Sequence, residues 1–208
     1  MDKISEQIKN LYKARFKKYG VDPKSLFWQR RGAAHQRFRQ IWAEIDFNGK
    51  SVLDIGCGFG EMGKFLIKRY KGVNYTGFDI VPEFIEEAKR ELPKLRFEVR
   101  DFFNDPIKEK FDVVIASGVL NSNVENNMEY RKKAIKEMFK HAKKVAAFNM
   151  LGGHPQPESN PKSNVWYADS LEILEYCLSL TRRVILRQNY HPRDFTIFMY
   201  KTFQEKEK

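Results

Sequence analysis

Cysteine is nearly missing: Cys57 and Cys177 are two residues in 208. That is too few for a disulfide framework, and a reducing, cytoplasmic setting is expected. No cysteine–histidine grouping has the spacing of a zinc site, so no metal is expected. No apolar run approaches the length that spans a bilayer. The opening residues, Met-Asp-Lys-Ile-Ser-Glu-Gln, lack the apolar core of a secretory signal. A membrane partner is therefore not expected. Acids are outnumbered, 27 Asp and Glu against 38 Lys and Arg, for a net charge of +11. Between Asn10 and Gln40 the bases Lys13, Arg15, Lys17, Lys18, Lys24, Arg30, Arg31, Arg37 and Arg39 face the single acid Asp22. Such a segment is either a solvated helix face, as lysine-rich and heat-adapted chains display, or a footprint for nucleic-acid phosphates. The length suits one domain with a sizeable core.

What is present centres on Ser51 to Gly63. Val52, Leu53 and Ile55 form an apolar run interrupted by Asp54, then Gly56, Gly58 and Gly60 alternate. From Glu61 the pattern turns helical through Met62, Phe65, Leu66 and Arg69. Strand, glycine loop and helix in that order deliver a ligand to a helix N-terminus past backbone without Cβ atoms. The acid at Asp54 suits a positive centre or hydroxyls better than a pyrophosphate. A rival pattern occupies the same letters, since Gly58-Phe59-Gly60-Glu61-Met62-Gly63 fits the dinucleotide fingerprint. Its register is wrong for that role, because the first glycine after the strand is Gly56.

Val-Leu-Asp-Ile-Gly-Cys-Gly-Phe-Gly resembles the first motif of the class I S-adenosylmethionine-dependent methyltransferases. The resemblance covers roughly residues 49–201, strongly in the cofactor half. It implies an α/β fold: a Rossmann-like, seven-stranded, mostly parallel sheet with an antiparallel last strand and helices on both faces. It also implies an N-terminal helical extension or lid over residues 1–48, with the cofactor domain in 49–208. The implied cofactor is S-adenosyl-L-methionine, with S-adenosyl-L-homocysteine as product. On the donor side it implies Asp54, Gly56, Cys57 and Gly58. Asp79, at a second strand tip, would take the ribose hydroxyls, and Ile80 would pack on adenine. Asp101 would accept from the adenine amino group, the Phe102 amide would meet the ring, and Ser117 would close the site at the fourth strand.

In chain order, helices are expected over Lys3–Tyr19, about Ala33–Glu44, Glu61–Tyr70, Glu83–Leu92, Met128–Lys143 and Asp169–Leu178. Strands are expected at 51–55, 74–78, 95–99, 111–116 and 144–150, with an antiparallel hairpin of 183–188 and 195–202 at the end. Residues 26–31 form a candidate lid in which Trp28 offers a flat face and Arg31 a carboxylate partner, with Trp28 as plain core the alternative. Asn121 reads either as a polar wall for the acceptor or as a turn former. Gly152 to Pro161 is a glycine- and proline-rich loop too long for a simple connector.

Methyl transfer from a sulfonium needs orientation and exclusion of water, with a base only when the nucleophile must lose a proton. His154 is the first candidate base, followed by His191 and His35, whereas His141 at a helix end reads as structural. Tyr167 and Tyr190 are candidate acceptor contacts. The expected reaction is transfer to an oxygen or nitrogen of a small molecule. The alternatives are RNA gripped by the basic N-terminal segment, and a cofactor-binding but non-catalytic partner subunit.

Overall fold

The computed structural model describes residues 2–28, 31–158, 160 and 163–201, with 31–34 described by backbone alone. The first helix, α1 (Lys3–Tyr19), starts where the Asp2 side chain accepts from the Ser5 amide at 2.8 Å and stops at Gly20, φ +62°. A 3-10 turn at Pro23–Leu26 leads to α2 (Arg31–Glu44). Then follow β1 (Ser51–Ile55), α3 (Glu61–Arg69), β2 (Asn74–Asp79), α4 (Pro82–Glu91), β3 (Arg96–Val99) and β4 (Phe111–Ser117). A second 3-10 turn, Val119–Asn121, precedes α5 (Asn127–His141), β5 (Ala142–Gly153), β6 (Ala168–Asp169), α6 (Ser170–Leu180), β7 (Val184–Arg187) and β8 (Asp194–Tyr200).

The sheet runs β3-β2-β1-β4-β5-β8-β7, with the short β6 beside the far end of β5. β8 pairs antiparallel with both neighbours, and all other pairs are parallel. The expected seven strands are thus present, with β6 as an eighth. Along β4, Val114 and Ala116 join one core with Ala134, Ile135 and Met138 of α5 and Ile173 of α6. Val113 and Ile115 face the other way, into a core with Ile41 of α2, Leu66 of α3 and Ile85 of α4. A strand buried on both faces reads as a continuous apolar run, as Phe111 to Ala116 does.

Most element boundaries shift by one to three residues from the sequence expectation, and at the two ends of β5 the cause is visible. α5 ends at His141 rather than Lys143, and β5 begins at once. The buried His141 ring lies 2.6 Å from the Ile107 carbonyl and 2.9 Å from that of Glu137, fixing the helix end early. At its other end β5 continues through Gly152 and Gly153, which read as loop. β6 lies so close that a Cβ on Gly152, φ +148°, would sit 2.1 Å from the Ala168 carbonyl oxygen. Those glycines permit a close strand contact. The long connector starts only at His154.

Candidate cofactor and acceptor site

The strand order reverses direction between β1 and β4, and such a switch point opens a crevice beyond the strands' C-terminal ends. A cavity of about 960 Å³, counting its open mouth, occupies this place. Its floor includes Asp54 and Ile55 of β1, Gly56, Cys57 and Gly58 of the turn, and Ser117 and Gly118 after β4. Asp79, Ile80, Asp101 and Phe102 line one end. The nine donor-side positions singled out in the sequence therefore border a single space. The roof comes from Ser5, Ile8 and Tyr12 of α1, with Leu26 and Trp28.

The glycine turn is forced by this packing. At Gly56, φ +69°, a Cβ would fall 2.2 Å from Val119 Cγ2. The amides of Gly56 and Cys57 both donate to the Phe78 carbonyl, at 2.7 and 3.0 Å, binding the turn to β2. The Gly58 amide donates to Asp79 Oδ2 at 3.0 Å, and the Val81 amide to Oδ1 at 2.9 Å. These two bonds hold the Asp79 carboxylate in place and leave each oxygen a further lone pair. Burial pushes Asp79 up to about 6 even so. Asp54 is 3% exposed and accepts from the Tyr75 hydroxyl at 2.6 Å. Burial pushes its carboxyl up to about 7; the Tyr75 bond opposes this rise and the Asp79 charge adds to it.

Neither carboxyl has a cation beside it among the described residues. Two dehydrated acids facing a cavity suit a ligand that brings hydroxyl donors and positive charge. A nucleoside with an attached sulfonium and amine meets both requirements. At the third strand tip, Asp101 accepts from Asn104 at 2.9 Å, and the same amide nitrogen also donates to Ser5 of α1 at 2.9 Å. Arg100 lines this end with its Nε buried and without a hydrogen-bond partner.

The acceptor-side residues are more dispersed. Trp28 lines the cavity and meets Phe38 edge-on at 6.1 Å. The Arg31 side chain, Gln29 and Arg30 lie outside the described residues. Asn121 is a staple: Nδ2 donates to the Gly118 carbonyl at 3.1 Å, and Oδ1 accepts from the Leu151 amide at 2.8 Å. Tyr167 lies off the cavity, its carbonyl bonded by Gln156 and its ring 5.9 Å from the Arg193 guanidinium. Tyr190 bonds Thr196 at 2.9 Å within a chain running through Asn149 to Ser117.

None of the three candidate bases borders the cavity. His154 is exposed; its ring lies 3.1 Å from the Asp169 carboxylate, while its amide and carbonyl pair reciprocally with Gln188. His191 accepts from the Arg193 amide within its own turn. His35 borders a smaller hollow between Asp22 and Glu61. The sequence reading did not find Tyr75, Tyr12, Arg100 or Arg37. Tyr75 lies two residues before Gly77, the register partner of Asp54, so its reach follows only from the strand pairing. Arg131 was also missed. It is fully buried and donates to the carbonyls of Leu120, Asn127 and Ser122, bracing the turn after β4.

A doubly wound sheet, a glycine turn at its switch point and acids at successive strand tips define a nucleoside-binding α/β enzyme. Residues 52–145 match the methyltransferase-domain family. Rv1506c of Mycobacterium tuberculosis, named as a methyltransferase, is 29% identical over 73% of this chain and 93% of its own length. Trans-aconitate 2-methyltransferase of Escherichia coli is 34% identical over 35% of this chain. The chain matches only 29% of that relative's length and 26–30% of several others'. In fold, the chain resembles magnesium protoporphyrin IX methyltransferase from Synechocystis PCC 6803, solved with S-adenosylhomocysteine. The TM-score is 0.69 at 15% identity, over 95% of this chain and 99% of that one. In its matched domain, its relatives and its fold the chain is similar to the class I S-adenosylmethionine-dependent methyltransferase superfamily. It is an S-adenosylmethionine-dependent enzyme. No helix among its described residues is long and apolar enough to cross a membrane.

Proposed function

We propose that the enzyme methylates an oxygen or nitrogen of a small molecule, with residues 1–48 acting as a lid. The observation that carries this reading is the roof of Ser5, Ile8, Tyr12, Leu26 and Trp28 over the cavity; a covered site suits a compact acceptor better than a polymer. An oxygen acceptor is in keeping with relatives named trans-aconitate 2-methyltransferase and malonyl-[acyl-carrier protein] O-methyltransferase.

The bound donor supplies a methyl group on a sulfonium, already activated for displacement. The chain's own work is to bind, orient and dry the site. Asp79 accepts the ribose hydroxyls, Asp101 the adenine amine, and Asp54 faces the positive part of the ligand. Phe102 and Ile80 flank the ring, Ser117 and Gly118 border the reacting end, and α1 excludes water. The acceptor lone pair forms the new bond to the methyl carbon while the carbon–sulfur pair stays on sulfur. An acceptor already deprotonated at neutral pH needs no base, which fits the placement of all three candidate histidines away from the cavity.

Several cations of the basic segment are engaged internally. Lys13 pairs with Glu83 at 3.0 Å, and the Arg15 guanidinium lies 3.7 Å from the Phe27 ring centroid. That favours a small acceptor over RNA. Tritiated S-adenosylmethionine incubated separately with pooled metabolites and with total RNA tests the choice. Label is expected in the metabolite fraction. Label in RNA that falls steeply with added salt would replace this reading with the nucleic-acid one.

A further inference from the structure

Arg37 of α2 lies beside Gly118, which lines the cavity. Its Nε donates to both oxygens of Asp194, at 3.1 and 2.9 Å, at the start of β8. Both side chains are nearly out of water, at 14% and 6% exposed. A guanidinium has five N–H donors in a rigid fork, and this pair consumes one. The other four, on the two terminal nitrogens, have no hydrogen-bond partner among the described residues. A purely structural pair would turn two nitrogens of the fork to the two oxygens of the carboxylate. Here one nitrogen serves both, and the outer edge is left over.

That edge lies next to the cavity's lining. Arg37 Nη1 lies 3.6 Å from where a Cβ on Gly118 would be, and Gly118 lines the cavity. Phe38, the residue after Arg37, and Trp28, in edge contact with it, both line the cavity. Asp194 has Arg37 on one side and His191 Nδ1 at 3.8 Å on the other. We propose that Arg37 anchors the methyl acceptor, which is a small carboxylic acid: the two terminal nitrogens of Arg37 take a carboxylate of the acceptor, and Asp194 holds the fork by its Nε edge. Asp194 is then a positioning residue. A planar, two-oxygen anion matches a planar pair of donors, and the aromatic walls take the carbon skeleton. This assignment rests on the small-molecule reading and supplies its substrate class.

Calorimetry separates the two claims. The intact chain, saturated with S-adenosylhomocysteine, is titrated with malonate, citrate, trans-aconitate and benzoate, with the corresponding amides, and with inorganic phosphate. At least one carboxylate is expected to bind, its amide at least about tenfold more weakly. Arg37→Lys should lose most of that affinity, because a point charge replaces the fork. The double variant Arg37→Met with Asp194→Asn removes both buried charges together and should lose it entirely. S-Adenosylhomocysteine affinity should stay within about threefold in both variants, which also reports that they are folded. Carboxylate binding unchanged in Arg37→Lys and in the double variant would overturn the proposal, as would binding of phosphate alone or of no panel member. Failure of S-adenosylhomocysteine itself to bind the unaltered protein would instead strike the reading beneath it.

Discussion

Cofactor affinity should climb steeply with pH, and the structure sets how steeply. Burial raises Asp54 to about 7 and Asp79 to about 6 before any ligand arrives. Both are needed ionised, Asp79 to accept from hydroxyls and Asp54 to face positive charge. The apparent affinity therefore scales with the fraction ionised at each position. From pH 5.5 to 7.5 that fraction grows by about fourfold at Asp79 and about 25-fold at Asp54, so by about 100-fold if both must be charged. Titration calorimetry of S-adenosylhomocysteine across this range gives the slope. Repeating it in buffers of different ionisation enthalpy counts the protons released on binding, expected between one and two near pH 6. Asp54→Asn should flatten most of the slope. In the free protein the sign reverses. A carboxyl whose folded value lies above its unfolded one contributes stability that is complete below the unfolded value, about pH 4, and is lost as pH rises through the folded value. The melting temperature of the unliganded protein should thus fall relative to Asp54→Asn between pH 5 and 7.5, and bound ligand should restore it. A flat affinity profile with no proton release would refute the claim that these acids are held neutral by burial.

Other consequences are simpler to score. Tyr75→Phe removes a donor that favours the ionised form of Asp54, so the midpoint of the affinity profile should move to higher pH, read by the same titration. Gly56→Ala places a methyl against Val119 at a positive φ and should cost about 2 kcal/mol or more in denaturant unfolding, with cofactor binding lost. Arg131→Met leaves the buried Leu120 carbonyl and the half-buried Ser122 carbonyl without this donor and should destabilise by about 2 kcal/mol. His154→Ala should keep methyl transfer within about threefold, since its ring pairs with Asp169 at the surface; a loss of a hundredfold or more would mark it as the base.

The donor half was legible because its chemistry is local. A strand, a glycine turn and an acid at each strand tip are close in sequence, and the parallel sheet then stacks those tips side by side. Asp54, Asp79 and Asp101 come together for that reason. The acceptor half is not local. Arg37 meets Asp194 across 157 positions, and nothing near either residue announces the other. The histidines stand out for their chemistry and for the segments that carry them: the loop after the fifth strand for His154, the terminal hairpin's connection for His191 and the lid for His35. The fold uses His154 instead to brace the end of β5 against Gln188 and Asp169. The glycines at 152 and 153 resembled loop because composition does not distinguish a flexible turn from a strand that must tolerate a close neighbour.

The first helix is fastened over the cavity by Ser5 to Asn104, Lys13 to Glu83, the rings of Tyr12 and Phe16 on Phe84, and Phe16 on Phe59. If residues 1–48 act as the proposed lid, exchange of donor for spent product would require these contacts to part. On the proposed lid role, product release and not methyl transfer would set the pace, and added viscogen would slow turnover in step with the lifting of this seventeen-residue helix.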